Sequence, residues 1–265
     1  MVAYREDTAQ LEAVLKAEGF ARVSVQRASY TGAEEAYSRN FRCFMNHHEA
    51  WKEAATRPGW TLVMEADFVP CAGLGAMPVP FPDPGAPGLK WAFLYTSSPR
   101  IFWEESGGFL RGHQATTVCY LITGAVASKL LAFWDDEVKI HGMGTYFAFD
   151  AHLSWSLIGK GCEAYFPARS YGEHGGVPNL EHREEGSLPN DGRHRADVLA
   201  GNLAFSPPYA GGNFPRYRLI RIGARLRSIA RLLTGRWIVR VWVSNPEPVK
   251  LPRLLWLGLK RHLIV

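Results

Sequence analysis

Two carboxylates follow one short apolar segment of the chain. Residues 61–64, TLVM, predict a buried strand, and Glu65 and Asp67 come directly after it in the sequence EAD. With strand-like spacing, these two side chains point to the same side. Such a pair can bind a divalent cation, Mn²⁺ or Mg²⁺, and through it the diphosphate of a nucleotide sugar. A solvated turn without a ligand is the alternative interpretation.

Four further residues suit the same chemistry. Asp150 precedes a helix predicted at residues 151–158, where it can act as a general base or cap the helix. His174, in SYGEHGG, can be a further metal ligand, and His47 and Arg5 can contact the nucleotide sugar. The alternatives are a loop histidine without a ligand for His174, a buried hydrogen-bonded histidine for His47 and an exposed arginine for Arg5.

Five segments within the first 180 residues form an ordered series of motifs. They are RCFMNHHEAW, LVMEADF, WAFLYTSS, TTVCYLITGAVASKLL and FDAHLSW. Their order and spacing resemble glycosyltransferase family 25, the lipopolysaccharide and lipooligosaccharide transferases. In that family a C-x-x-S-H-x-x-x-W stretch precedes an E-D-D strand end, and G-T-x-x-Y-L-I precedes a helix ending in paired leucines. The counterparts here are Cys43, Asn46, His47, Trp51, Glu65, Asp67, Thr117, Tyr120, Leu121, Ile122, Leu130 and Leu131.

The resemblance implies a hexosyltransferase with a GT-A-like fold, a nucleotide-sugar-binding mixed sheet flanked by helices. It implies a nucleotide-sugar donor, which we expect to be a UDP-sugar bound with Mn²⁺ or Mg²⁺. The implied acceptor is a lipopolysaccharide, lipooligosaccharide or capsule glycan of a bacterial surface. Together with the residues above, it gives a candidate site: Glu65, Asp67 and His174 for the metal; Arg5, His47, Glu65 and Asp67 for the donor; and Asp150 as the base of an inverting transfer.

Two departures from the family pattern affect these expectations. Asn46 replaces a serine, which changes little if this residue caps a helix, and Asn46 with Glu49 predicts such a helix start. Ala66 replaces the middle acid of E-D-D, so any contact of that acid to the donor ribose is absent or supplied elsewhere. Two hypotheses follow: an active transferase, or a catalytically inactive binding or scaffold protein of the same pathway.

The order of the predicted elements indicates an α/β fold. Residues 69–90 are rich in proline and glycine and predict a long loop. The predicted strands lie at 2–4, 23–30, 61–64, 91–95 and 118–122, and the predicted helices follow Asp7 and Asn46 and lie at 125–133 and 151–158.

The positive charge is concentrated at the C-terminal end of the chain. Residues 1–215 carry a net charge of −6 and residues 216–265 carry +11. An apolar stripe at helical spacing, flanked by arginines, predicts a basic amphipathic helix there. Its residues are Leu219, Ile222, Leu226, Ile229 and Leu233. We expect a transferase domain at 1–215 and a tail at 216–265 that binds an anionic membrane surface; packing of the tail on the domain is the alternative. Nucleic-acid binding is not expected, because no motif for it accompanies the charge.

Cysteine spacing and hydropathy set the expected location. The four cysteines are far apart, which argues against a disulfide framework and indicates a reducing cytosol. The segment MVAYREDTAQ lacks the apolar run of a signal peptide, and no run of about 18 apolar residues occurs. The expected location is cytoplasmic, peripheral on the inner face of the cytoplasmic membrane.

Overall fold

The computed structural model describes residues 1–265 except 82, 84, 86, 87, 98, 105–107, 177–193, 235–250 and 264–265. The α-helices of the described residues are α1 (Ala9–Ala17), α2 (Arg39–Ala55), α3 (Gly124–His141), α4 (Phe149–Gly159), α5 (Phe214–Leu233) and α6 (Leu251–Leu263). The strands are β1 (Val2–Ala3), β2 (Gln26–Arg27), β3 (Trp60–Met64), β4 (Phe68–Pro70), β5 (Leu89–Phe93), β6 (Arg100–Glu104), β7 (Phe109–His113), β8 (Cys119–Thr123), β9 (Cys162–Pro167) and β10 (Gly172–His174).

A six-stranded mixed sheet forms the centre of the protein, in the order β3-β8-β5-β9-β7-β6. Strand β8 is antiparallel to both β3 and β5, and β5 is parallel to β9. The carboxyl ends of β3, β5 and β9 therefore lie at one edge of the sheet. A parallel bridge from Val2 to Glu65 brings the end of β1 to the same edge. This arrangement confirms the predicted α/β class.

Helices and loops cover both faces of the sheet. On one face, α2, α3 and α4 bury aromatic side chains, among them Phe44, Trp51 and Phe133, against the strands. On the other face, Leu11 and Leu15 of α1 belong to a second apolar cluster. Each such buried side chain contributes about 1.5 to 3 kcal/mol of transfer free energy. The core thus holds the strand ends in a fixed position.

The predicted start of a helix at Asn46 is wrong. Helix α2 begins upstream at Arg39, and its N-cap is Ser38, whose hydroxyl accepts a hydrogen bond from the backbone N–H of Phe41. Asn46 lies buried within this helix, and its amide group donates to the carbonyl of Ala3 at 3.2 Å. Its side-chain oxygen accepts from the hydroxyl of Tyr30 at 2.9 Å. Asn46 therefore connects α2 to the end of β1 instead of capping a helix.

The alternative role of Asp150 as an N-cap is also wrong. Helix α4 begins at Phe149 after the N-cap residue Ala148, so Asp150 lies inside the first turn. Its carboxylate accepts a hydrogen bond from the next backbone N–H, that of Ala151, at 2.9 Å. A carboxylate in the first turn still interacts favourably with the helix dipole.

Two other predicted elements differ from the structure. The strand predicted at 23–30 is paired only at Gln26–Arg27. The loop predicted at 69–90 begins with the end of β4 and contains a short 3-10 turn at Leu74–Ala76. Propensity alone does not pair a strand, because pairing needs a neighbouring strand in register.

The described part of the C-terminal region packs on the domain through both apolar and polar side chains, and Leu232 and Leu257 belong to the main apolar cluster. The guanidinium of Arg221 on α5 forms an ion pair with the fully buried carboxylate of Glu173. On α6, Arg261 donates to the carbonyl of Ala168 at 2.6 Å. The predicted apolar stripe of α5 is mostly exposed. Among the described residues, no helix combines the length and apolar character that a bilayer span requires.

Candidate active site

The three predicted metal-binding side chains lie together at the edge of the sheet. Each of Glu65, Asp67 and His174 offers one ligand atom, and these three atoms lie within 4.8 Å of one another. The antiparallel pairing of β10 with β4 sets His174 opposite Phe68, which follows Asp67. The Nε2 atom of His174 lies 3.0 Å from Oδ2 of Asp67. Residues distant in sequence thus form one compact group.

The charges of this pair are strongly linked. Burial alone lowers the pKa of His174, but the adjacent Asp67 carboxylate outweighs this and raises it to about 9. Burial alone raises the pKa of Asp67, but the cation of His174 outweighs this and lowers it. At neutral pH and without a metal, the pair is therefore an ion pair. A divalent cation that binds here replaces the imidazolium proton, so its binding releases a proton.

The side chains of this group fit a divalent cation. The buried Oδ1 atom of Asp67 has no hydrogen-bond partner among the described residues, so it keeps lone pairs that a cation would satisfy. Two carboxylates with one imidazole suit Mn²⁺ better than Mg²⁺, which takes oxygen ligands. Cys43 and His47 also approach Glu65. Burial raises the pKa of the Cys43 thiol well above its usual value, which disfavours the thiolate that a metal requires.

A chain of buried hydrogen bonds orients Glu65. The indole N–H of Trp51 donates to the hydroxyl oxygen of Tyr120 at 2.7 Å, and that hydroxyl lies 2.8 Å from Nδ1 of His47. The indole N–H can only donate, so the Tyr120 oxygen accepts from Trp51. The hydroxyl proton of Tyr120 is then donated to its other partner, Nδ1 of His47. This leaves Nε2–H of His47 directed at Oε1 of Glu65, 3.4 Å away. The fully buried His47 side chain thus fixes the orientation of the Glu65 carboxylate.

Thr117 is the second hydrogen-bond partner of Oε1 of Glu65. Its hydroxyl donates to Oε1 of Glu65 at 3.0 Å. In the described part of the chain, both hydrogen bonds to the Glu65 carboxylate therefore end on Oε1. Oε2 is then the oxygen available to a cation, and its direction is fixed by the buried partners of Oε1.

A cavity of about 470 Å³ lies beside the carboxylates. Three arginines, Arg5, Arg39 and Arg42, line it and give it a positive wall. The rings of Tyr4 and Tyr30 also line it, with their centroids 5.1 Å apart. Its remaining lining residues are Val2, Ala3, Glu6, Cys43, Asn46, Glu65, Ala66 and Asp67. Arginine side chains and aromatic faces in one cavity suit a ligand that carries phosphates and a base.

Asp150 approaches the same group from α4. Burial raises the pKa of Asp150 to about 6, a hydrogen bond from the backbone N–H of Ala151 opposes the rise, and the nearby Glu65 carboxylate adds to it. Near neutral pH this carboxyl group can both accept and give up a proton, which is what a general base requires.

The sequence did not point to several residues of the site. The guanidinium of Arg195 donates to the carbonyl of Gly176 at 3.0 Å and to that of His174, and its charge lowers the pKa of Asp67. No local pattern predicts this role, because Arg195 and His174 are 21 residues apart in the sequence. Arg39 and Arg42 were identifiable in principle, since residues three apart share one face of a helix.

The geometry of the described residues defines the candidate site. No protein-family model and no curated protein sequence matches this chain. Of the six predicted site residues, the structure places Glu65, Asp67 and His174 together, Arg5 in the adjoining cavity and His47 behind Glu65. Asp150 stands near enough to Glu65 for their charges to interact.

Replacing Gly176 with alanine tests the close packing of this group. The new methyl carbon would lie 2.0 Å from Oδ2 of Asp67 and 3.3 Å from Nε2 of His174, so the carboxylate must move away from the imidazole. We expect Gly176→Ala to lower the free energy of unfolding by about 1 to 3 kcal/mol, measured by urea denaturation. Gly159→Ala is the matched control, because its methyl group meets nothing within 4 Å. Equal stability of the two variants would contradict this packing.

Proposed function

We propose that this protein is a metal-dependent glycosyltransferase that moves a sugar from a nucleotide-sugar donor to a bacterial surface glycan. The observation that carries the proposal is the cluster of Glu65, Asp67 and His174 beside a cavity lined by three arginines. The family 25 motifs contribute the carboxylates and the hydrogen-bond chain behind them. The acceptor class, a lipopolysaccharide, lipooligosaccharide or capsule glycan, comes from the resemblance.

The architecture supports a GT-A-like assignment. A six-stranded mixed sheet lies between helices, and the carboxylates follow a strand at the sheet edge, next to a cavity. Ligands of α/β proteins commonly bind at the carboxyl ends of strands, where loops supply the polar groups. The proposed donor site occupies this position.

Each part of the site has a role in donor binding. Glu65, Asp67 and His174 would hold Mn²⁺, which stabilises the negative charge that develops on the leaving diphosphate. Arg5, Arg39 and Arg42 would bind the phosphates, and Tyr4 or Tyr30 would stack on the base. We assign His47 a supporting role, because it is fully buried and contacts Glu65 instead of the cavity.

Asp150 would accept the proton of the acceptor hydroxyl as that oxygen attacks the sugar. In an inverting transfer the base and the leaving diphosphate act on opposite faces of the sugar, so two separate groups are required. Asp150 and the metal-binding cluster would provide these groups, and the effect of the Glu65 charge on the pKa of Asp150 supports their closeness. The raised pKa of Asp150 suits proton transfer near neutral pH.

Ala66 supports a second candidate function, that of an inactive binding or scaffold protein. Ala66 lines the cavity where the family pattern has an acid, so one contact to the donor is missing. Glu6 lines the same cavity, which means that a carboxylate remains within it. Donor binding and transfer therefore have to be measured separately.

Thermal unfolding with a panel of nucleotide sugars tests the donor site. We expect a UDP-sugar with Mn²⁺ to raise the melting temperature, and GDP-, CMP- and dTDP-sugars to raise it less. A ligand at about 100 times its Kd adds about 2.7 kcal/mol to folding stability. Asp67→Asn should remove the metal-dependent rise, because it removes one anionic ligand while keeping side-chain volume. Glu35→Ala, at an exposed carboxylate, should keep it. If no nucleotide sugar shifts the melting temperature of the parent protein, the transferase proposal is contradicted and the inactive scaffold is favoured.

Asp150→Asn tests the base. We expect transfer to fall by about 10²- to 10⁴-fold while the donor-dependent thermal shift is retained. In the parent protein kcat/KM should rise with pH through about 6, because the base acts only when it has lost its proton. Asp135→Asn, at an exposed carboxylate of α3, is the control. Sugar transfer by Asp150→Asn at the rate of the parent would contradict the assignment of Asp150 as the base. Donor binding without any transfer by the parent would favour the scaffold protein.

The C-terminal helices support attachment to an anionic membrane surface, and thus a peripheral position on the inner face of the cytoplasmic membrane. Neither α5 nor α6 contains an acidic residue. Exposed large apolar side chains lie along both helices, at Phe214, Leu219, Ile222, Leu226, Leu233, Trp256 and Leu259. Apolar side chains among arginines suit the interface of an anionic bilayer.

Sedimentation with vesicles tests this attachment. The double variant Leu219→Ser and Leu226→Ser should bind phosphatidylglycerol vesicles at least about tenfold more weakly, because each apolar side chain contributes about 1.5 kcal/mol or more when buried. Ile140→Ser is the control, since Ile140 on α3 is 71% exposed, as Leu219 is at 70%. Point variants are preferable to removing the tail, because removal would leave Glu173 without Arg221. Equal binding by the double variant and the parent would refute the attachment.

A further inference from the structure

A second group of metal-ligand side chains lies where α3 and α4 meet. Oε2 of Glu137 lies 3.2 Å from Nε2 of His141 and 3.4 Å from Nδ1 of His152. The three ligand atoms are all within 4.8 Å of one another. None of these residues belongs to the candidate active site, and none is needed for the proposed transfer.

The spacing of these atoms matches the spacing of ligand atoms around a metal ion. Around a tetrahedral ion with bonds of about 2.0 to 2.2 Å, neighbouring ligand atoms lie about 3.3 to 3.6 Å apart. Both imidazoles approach the same carboxylate oxygen at 3.2 and 3.4 Å, close to this range.

The surroundings hold the three side chains in place. Glu137 is only 8% exposed, although a buried carboxylate needs compensating positive charge. The ring of His141 stacks on Phe147, with centroids 4.5 Å apart and an interplanar angle of 10°. His152 is half exposed, so an ion can enter from that side. A cation bound by both imidazoles would supply the charge that Glu137 requires.

We propose that Glu137, His141 and His152 bind a zinc ion. Two imidazoles and one carboxylate are a common zinc ligand set, with a water as fourth ligand, whereas Mg²⁺ and Ca²⁺ prefer oxygen ligands and Mn²⁺ binds nitrogen ligands more weakly than Zn²⁺. The ion would join the last residue of α3 to the first turn of α4, the turn that carries Asp150. It would therefore stabilise the position of the proposed base, and its binding does not depend on the transferase assignment.

Calorimetric titration of the full-length, chelator-treated protein with Zn²⁺ tests this site. Asp67→Asn serves as the parent, so that the carboxylate cluster does not contribute a second metal site. We expect one zinc ion per chain, and His141→Ala or His152→Ala should weaken binding at least about tenfold, since even an outer-shell partner contributes 10- to 100-fold. His48→Ala is the control, because His48 stacks on Trp134 and is not part of the group.

Two outcomes would overturn the zinc site. One is a parent that binds no zinc while it remains folded by circular dichroism. The other is an equal zinc affinity of the parent and both histidine variants. That result would assign the ion to Cys43, His47 and Glu65 instead. If His141→Ala fails to fold, His152→Ala decides, because the His152 side chain is half exposed. Mn²⁺ added in place of Zn²⁺ should give no comparable binding.

Discussion

Repulsion among three neighbouring carboxylates is the constraint that the rest of the site must offset. Glu65, Asp67 and Asp150, together with Glu6, all raise the pKa of the buried Cys43 thiol, so their charges act on the same residue. Each is partly buried, so solvent screens them only in part. Each has its own compensation: Glu65 accepts two hydrogen bonds on one oxygen, Asp67 pairs with an imidazolium, and Asp150 shifts its pKa toward neutrality.

The compensating groups come from distant parts of the chain, which explains much of the fold around the site. His47 is supplied by α2, Thr117 precedes β8, and His174 ends β10. Close packing of Gly176 against Asp67 is needed because the strand that carries His174 must approach the turn after β3. An unpaired carboxylate in this position would be costly, so these long-range contacts stabilise the native arrangement as well as prepare the site.

Local sequence was sufficient for some of this arrangement and insufficient for the rest. An apolar run followed by two acids identified β3 and the carboxylates, and the alternation of elements identified the α/β class. The capping pattern at Asn46 predicted the wrong helix start. Phe41 and Phe44 continue the apolar spacing of the helix upstream, and its N-cap is Ser38. Arg195 was not predictable, since its partner His174 lies 21 residues away in the sequence and no periodic pattern joins the two.

A buried ion pair links the proposed membrane surface to the proposed metal ligand. Glu173 precedes His174 and is fully buried, and its carboxylate takes its charge partner, Arg221, from α5. It also accepts a hydrogen bond from the backbone N–H of Ala196 at 2.7 Å, next to Arg195. Loss of one partner of a buried pair costs about 3 to 5 kcal/mol, so α5 cannot leave the domain cheaply. If α5 lies on a bilayer, the candidate active site is then held at a fixed orientation to the membrane in which a lipid-linked acceptor would reside.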